Sequence, residues 1–374
     1  MTGRRPEGEA TDHMVIHIRN LIIFITVLIA PFNIVQAESE GQHELLFFLS
    51  ANHVHNSFTS EEGQQYDDIV LSADVIYGYV KSDFRFLTEY ILSTYESELE
   101  RFQLGWQADE NNIGWAGRFH SPSSYWNAAY HHGQYLQTSV TRPLIARFED
   151  EGGIVPTHVT GLMLETMHDL QGSASFQTTV SFGKTSVIGD LELIAFDLLD
   201  ASSKHREGVD IRLAYLPDQF DDNQFGLLLK WSDLVVDDSP IAELQGLEQV
   251  EQAVIGAYVD WRIRDGKVLA NLSYLNNQMI KQAQEQTDTF FAAYLQAEYI
   301  FNQKWTVYGR VEDTPGAEDS EYLELFPFAI IERQMLGLRF DFYSNNALTL
   351  EVSNVATQSI SSDQVWFQWS AVLP

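Results

Sequence analysis

Phe291-Ala292-Ala293-Tyr294-Leu295-Gln296-Ala297-Glu298-Tyr299-Ile300-Phe301 is the stretch on which the fold turns. Every second residue from Phe291 to Phe301 is apolar or aromatic, whereas Ala292, Tyr294, Gln296 and Glu298 lie between them. A period of two sends successive side chains to opposite faces of a strand, so one face suits lipid and the other tolerates water. Phe225, Leu227, Leu229 and Trp231 repeat the pattern against Gln224, Gly226, Leu228 and Lys230. Similar rows recur from about Leu45 almost to the C-terminus, and none of these segments is apolar throughout its length. A lipid core tolerates only helices or closed barrels, so the pattern predicts an all-β, transmembrane antiparallel β-barrel.

Candidate strands fall at about 43–53, 69–80, 84–94, 100–107, 113–120, 157–167, 173–183, 190–199, 208–216, 223–232, 249–263, 266–276, 288–301, 303–312, 330–343, 346–356 and 364–373. Seventeen strands conflict with the even number expected of a single-chain bacterial barrel. At about 20 residues per strand plus connection the length favours 16 strands, with 18 next if 134–141 hides another. Trp106, Trp115, Tyr215, Trp231, Trp261, Trp305 and Trp369 near strand ends suit the aromatic girdles of a lipid-facing wall better than the inside of a soluble sandwich. Asn302-Gln303, Arg264-Asp265-Gly266 and Ser344-Asn345-Asn346 read as tight periplasmic turns. In the last strand Val365, Phe367, Trp369, Ala371 and Leu373 alternate to the chain end. That strand resembles the signal read by the outer-membrane barrel-assembly machinery, although it closes on Leu373-Pro374 where an aromatic is usual.

One run is solidly apolar, 21–29, following Arg19 and ending in Val35-Gln36-Ala37. It is shorter than the ~20 residues of a spanning helix and reads as the core of a signal peptide over 1–37, with residues 38–374 as the barrel. Met1 and Met14 are both candidate starts. The chain has no cysteine, hence no disulfide and no thiolate chemistry. Its 22 basic and 53 acidic residues give a net charge of −31, all of it retained when the signal region is removed, which makes nucleic acid an unsuitable partner. Pairs such as Glu61-Glu62, Asp221-Asp222 and Asp237-Asp238 sit in connections, where they solvate the surface or share cations with neighbouring lipopolysaccharide.

If the apolar rows face lipid, the interior receives Asp74, Glu89, Arg101, Arg118, His120, Asp210, Arg212, Lys230, Asp260, Glu298, Arg310, Glu312, Arg333, Arg339 and Glu351. Such charges pair across neighbouring strands, and together they imply a hydrated channel. The longest interruption, 121–156, is of a size that is usually functional or folded on itself. It opens Gly117-Arg118-Phe119-His120-Ser121-Pro122-Ser123-Ser124-Tyr125-Trp126-Asn127-Ala128-Ala129-Tyr130-His131-His132-Gly133. It closes Glu149-Asp150-Glu151-Gly152-Gly153-Ile154-Val155-Pro156-Thr157-His158, with a helical-looking 136–148 containing Arg142-Pro143 between.

Over about 113–161 these motifs resemble an uncharacterised outer-membrane porin-like family related to phosphate-selective porins. The resemblance implies a 16-stranded barrel of the Gram-negative outer membrane, assembled as a homo-trimer, with the 121–156 loop folded inward as a constriction. Phosphate selectivity does not carry over. The chain has seven lysines, of which Lys230 falls on a confident lumen-facing row, and its net charge disfavours oxyanions. The expected pore-lining set is Arg118, His120, Tyr125, Trp126, Asn127, Tyr130, His131, His132, Arg212, Arg310 and Arg339. The aromatics could stack on planar solutes or simply pack the loop against the wall.

The expected function is passive diffusion of small hydrophilic solutes without a cofactor. The alternative is a non-conducting adhesin or a metal- or ligand-binding barrel. His53 and His55 share a strand face and are the weak metal candidates; His120, His131, His132 and His158 lie near the long loop, but no firm third ligand stands out, so no metal site is predicted. Gly-x-Ser-x-Gly, His-Glu-x-x-His and phosphate-loop patterns are missing, and no catalytic residue is assigned.

Overall fold

In the computed structural model of the chain, residues 41–58, 65–94, 97–130, 133–198, 204–237 and 239–374 are described. The expected signal peptide, Glu61-Glu62, Asp238, His131 and His132 lie outside them.

Eighteen strands form in chain order. They are β1 (Gln42–Phe58), β2 (Gln65–Lys81), β3 (Phe84–Ser93), β4 (Ser97–Gln107), β5 (Asn112–His120), β6 (His158–Asp169), β7 (Ser175–Lys184), β8 (Val187–Ile188), β9 (Leu193–Ile194), β10 (Glu207–Leu216), β11 (Gln224–Val235), β12 (Leu247–Ile263), β13 (Gly266–Lys281), β14 (Gln284–Asn302), β15 (Trp305–Asp313), β16 (Glu332–Tyr343), β17 (Asn346–Ala356) and β18 (Ser361–Leu373). Sixteen of them close into one antiparallel barrel, each pairing with its sequence neighbour, with β18 returning to β1 through pairs such as Ala51↔Trp369. Closure removes the sheet edges that would otherwise leave backbone groups unpaired in lipid.

The parity problem resolves at 190–199. β8 and β9 make a two-stranded ribbon outside the barrel, and β7 pairs directly with β10. Val187, Ile188 and Leu193 are buried in a core built from the connections rather than exposed on the wall. No strand forms at 134–141. The helical expectation for 136–148 also fails: only a 3-10 turn, Leu144–Ala146, forms there, and the loop's α-helix is α1 (Tyr125–Tyr130) instead. Arg142-Pro143 explains this, since proline disfavours helical geometry in the residue before it.

β13 and β14 run further than the alternation indicated, joining through Gln282 and Ala283 at φ +48° and +64°. Residues 277–287 are mostly polar and lose the apolar alternation, because those strand ends rise past the lipid, where the outer face need not be apolar. At the opposite end, which carries the start of β1 and the end of β18, Ser82, Arg264 and Asn345 supply the positive φ of tight hairpins.

The two faces follow the expected rows. Leu227, Trp231, Phe291, Leu295 and Phe367 are exposed on the outside, while Leu228, Lys230, Ala292, Tyr294 and Gln368 are buried inside. Trp115 departs from the girdle: it pairs with Gly105, whose neighbours Leu104 and Trp106 face outward, and its ring fills the space where a Cβ on Gly105 would sit.

Candidate functional site

Residues 121–157 leave β5 and return to β6, and Ser121 N donates to Thr157 O at 2.7 Å to clamp the base. The loop's first arm docks on β10–β14. Ser121 and Ser123 hydroxyls donate to Asp210 Oδ1 at 2.8 and 2.7 Å, beside the Lys230–Asp210 ion pair at 2.6 Å. Tyr125 donates to Asp260 Oδ2 at 2.6 Å and stacks on Tyr258, with ring centroids 4.5 Å apart. Burial, reinforced by the Asp260 charge, pushes the Tyr125 phenol far above its ordinary pKa, so it stays a donor. Trp126 is 1% exposed, donates to Gln137 Oε1 at 3.0 Å and meets Tyr294 edge to face.

The second arm docks on β14–β17 through charges whose own partners are also present. Glu351 accepts from Val140 N at 2.9 Å, Thr141 Oγ1 at 2.5 Å and Tyr308 at 3.0 Å. Arg310 donates to Thr141 O at 2.9 Å while pairing with Glu312 at 2.8 Å; Glu312 also accepts from Leu144 N and Arg333. Arg333 reaches Arg142 O at 2.9 Å, and Arg339 reaches Tyr135 O and Gln137 O at 2.9 and 2.7 Å. Six of the loop's backbone groups thus end on inward-facing side chains, which satisfies polar atoms that an ordered loop could not leave bare.

Two polar cavities flank this segment. One of about 390 Å³ lies toward the long connections and is lined by Asn52, Asp74, Arg142, Arg147, Asp150 and Glu151 among others. The other, of about 320 Å³, lies toward the short turns and includes Tyr125, Tyr130, Arg212, Asp222, Asp260 and Lys267.

The expected site residues therefore separate. Tyr125, Tyr130 and Arg212 meet at the second cavity, where Lys267 donates to Tyr130 at 2.8 Å and Arg212 to Gln177 at 3.2 Å. Arg310 and Arg339 hold the loop, and Asn127 accepts from Arg142 at 3.0 Å. Arg118 is buried, ion-paired with Glu98 and bonded to the carbonyls of Glu100 and Phe196. Sequence reading missed Arg142, Arg147 and Asp150; they sit in the loop, where no period assigns a face.

His53 and His55 lie on the outward face of β1, with His53 between exposed Ile69 and Phe367 on the neighbouring strands. A different histidine set converges. Glu100, His120 and His158 are buried and bring one donor atom each within 4.8 Å of the others. His158 Nε2 lies 2.8 Å from Glu100 Oε2, and its Nδ1 lies 2.9 Å from Glu149 Oε2. Burial alone would raise the Glu149 carboxyl, but the His158 charge and the bonds from Thr157 outweigh it and hold the group well below the usual carboxylate range. Glu100 reaches this cluster through a bulge: the pairing with β3 shifts between Glu89 and Tyr90, leaving Glu100 adjacent to Arg101 with both buried.

No family model matches the sequence, and no curated protein matches it. Solved structures do. An anion-selective porin from Comamonas acidovorans superposes with a TM-score of 0.60 at 10% identity, covering 89% of this chain and 100% of that one. The outer membrane channel DcaP of Acinetobacter baumannii gives 0.57 at 9%, covering 90% and 99%. Salmonella typhi OmpF in complex with daunomycin gives 0.55 at 13%, covering 89% and 98%. At these identities the likeness is one of fold, and that fold is the closed sixteen-stranded barrel of the porins.

Proposed function

We propose that the protein is a porin-like channel of the Gram-negative outer membrane, exported by its signal peptide, through which small hydrophilic solutes diffuse passively. The observation that carries this reading is a loop bonded across the interior of a closed barrel, with a polar cavity on either side of it. Loop 121–156 acts as the constriction, and selection is by width and by a mixed field of arginines and carboxylates. Phosphate is not the preferred solute, because Arg310 and Arg333 are ion-paired with Glu312 and Arg339 with Asp341, and further donors of all three are spent on loop carbonyls. The protein assembles as a homo-trimer within lipid and lipopolysaccharide.

Planar-bilayer recording of the refolded protein tests this. Discrete conductance with modest cation preference in a salt gradient is expected. Current no greater than leak overturns the channel reading, and strong anion selectivity overturns the charge argument.

A non-conducting, ligand-binding barrel is the second reading. It is favoured by the apolar core that four connections build over β12–β14, where Leu144, Ile188, Ala242 and Tyr322 join a cluster with Leu275 and Phe290.

A further inference from the structure

We propose that Glu100, His120 and His158 form a binding site for one divalent transition-metal ion of the zinc class, with Glu149 as the group that orients His158. The inference stands apart from the channel reading. Two imidazoles and one carboxylate, with donor atoms within 4.8 Å of one another, are a three-ligand set that suits Zn²⁺ and leaves a position open to water or a solute.

The arrangement around the ligands has the features such a site needs. His120 and His158 face each other across the β5–β6 pair, ring centroids 5.1 Å apart, so the ladder itself fixes their separation. Glu149 accepts from Thr157 N at 2.7 Å, His158 N at 3.0 Å and Ser186 Oγ at 3.0 Å, which immobilises its carboxylate. Its Oε2 takes the Nδ1 proton of His158 at 2.9 Å and thereby aims Nε2 at Glu100. A carboxylate on the far nitrogen of a metal-bound imidazole fixes the ring's tautomer and orientation and strengthens it as a ligand.

A bound ion would need His158 Nε2 deprotonated and Glu100 ionised, so binding would release protons. Charge also fits. Glu98, Glu100 and Glu149 bring three negative charges against the one positive charge of Arg118, whose Nη2 pairs with Glu98 and lies 4.0 Å from Glu100 Oε2, so the cluster offers a net two negative charges to a dication. Phe148 stacks on His158, with centroids 5.4 Å apart, and the guanidinium of Arg142 lies 4.3 Å over its ring. Arg142 in turn lines the 390 Å³ cavity.

The test uses the full refolded protein, stripped with chelator, loaded with Zn²⁺ and dialysed, with folding verified by heat-modifiable gel mobility. One zinc per chain is expected, and Co²⁺ in its place should give visible d–d absorption. His120→Ala should abolish retention, Glu149→Gln should weaken affinity by about 10–100-fold, and the outer-face pair His53→Ala/His55→Ala should bind as wild type. Zinc retained no better by wild type than by His120→Ala overturns the proposal, as does loss of binding in the His53/His55 variant. A colourless Co²⁺ form also overturns it.

Discussion

Two sides of the same interior are filled in opposite ways. Along β12–β14, toward the long connections, the inward positions are mostly apolar: Val250, Val254, Leu275, Met279, Phe290 and Ala292, covered by residues such as Leu323, Leu325 and Phe326, with Gln252 bonded to Asn277 among them. Along β15–β17 the inward positions are Arg310, Glu312, Arg333, Arg339 and Glu351, and the loop meets them through hydrogen bonds and ion pairs. The first side is held by exclusion of water, which is tolerant of small shifts. The second is held by directional bonds among buried charges, where removing one partner leaves another stranded. An inward-facing position on a barrel strand therefore need not face water; it faces whatever the connections bring to it.

Excision of residues 125–132 should break the contrast most severely. This removes the Tyr125 and Trp126 anchors on the β10–β14 side, and we expect a marked rise in single-channel conductance; an unchanged value would mean that the loop is not the constriction. Arg310→Ala comes next. It takes from buried Glu312 one of its two arginines and from the Thr141 carbonyl its donor, and should cost about 3–5 kcal/mol in denaturant unfolding from lipid vesicles, with noisier open-channel current as the loop's second arm loosens.

Phe290→Ala sharpens the comparison from the apolar side. A cavity in that core should cost a similar ~3–5 kcal/mol but leave conductance close to wild type, because the loop keeps its polar anchors. If Phe290→Ala opens the channel as much as Arg310→Ala, the two sides do not differ in the way described. Tyr125→Phe is the mildest change. It keeps the stack on Tyr258 and loses one bond to a carboxylate, about 1.5–3 kcal/mol, read as a small drop in unfolding midpoint with little change in current.

Much of the fold was legible because lipid imposes a strict rule on every strand that crosses it. Leu227, Trp231, Phe291 and Phe367 face outward as their spacing requires, and Lys230, Arg310 and Arg339 face inward. Legibility stopped where lipid stops. The upper parts of β13 and β14 lose the alternation and read as connection, while 190–199 carries enough apolar residues to read as strand, yet its described residues add no strand to the barrel and Leu193 packs in the core beneath the connections. Within the loop, Tyr125 and Trp126 stood out as aromatics, but their partners Asp260 and Gln137, 135 and 11 residues away, could not be read from spacing.

The Glu100–His120–His158 cluster shows the same limit. His120 and His158 were visible as histidines at the two ends of the long loop, and strand pairing alone would bring them together. Glu100 was not visible as their neighbour, because its placement depends on a bulge that shifts the register of β4 against β3.

The sequence by itself determined an all-β chain, the outward and inward rows of nearly every spanning strand, and the one connection long enough to cross a barrel. Those follow from local periodicity, which a period-two lattice in lipid makes obligatory. Tertiary structure alone decided that sixteen strands close, that the interior along β12–β14 is filled mostly with apolar side chains, and that the loop ends on Glu351, Arg310 and Asp260. Those depend on pairings between residues far apart in the chain, set by barrel closure and by the need of each buried charge for a partner.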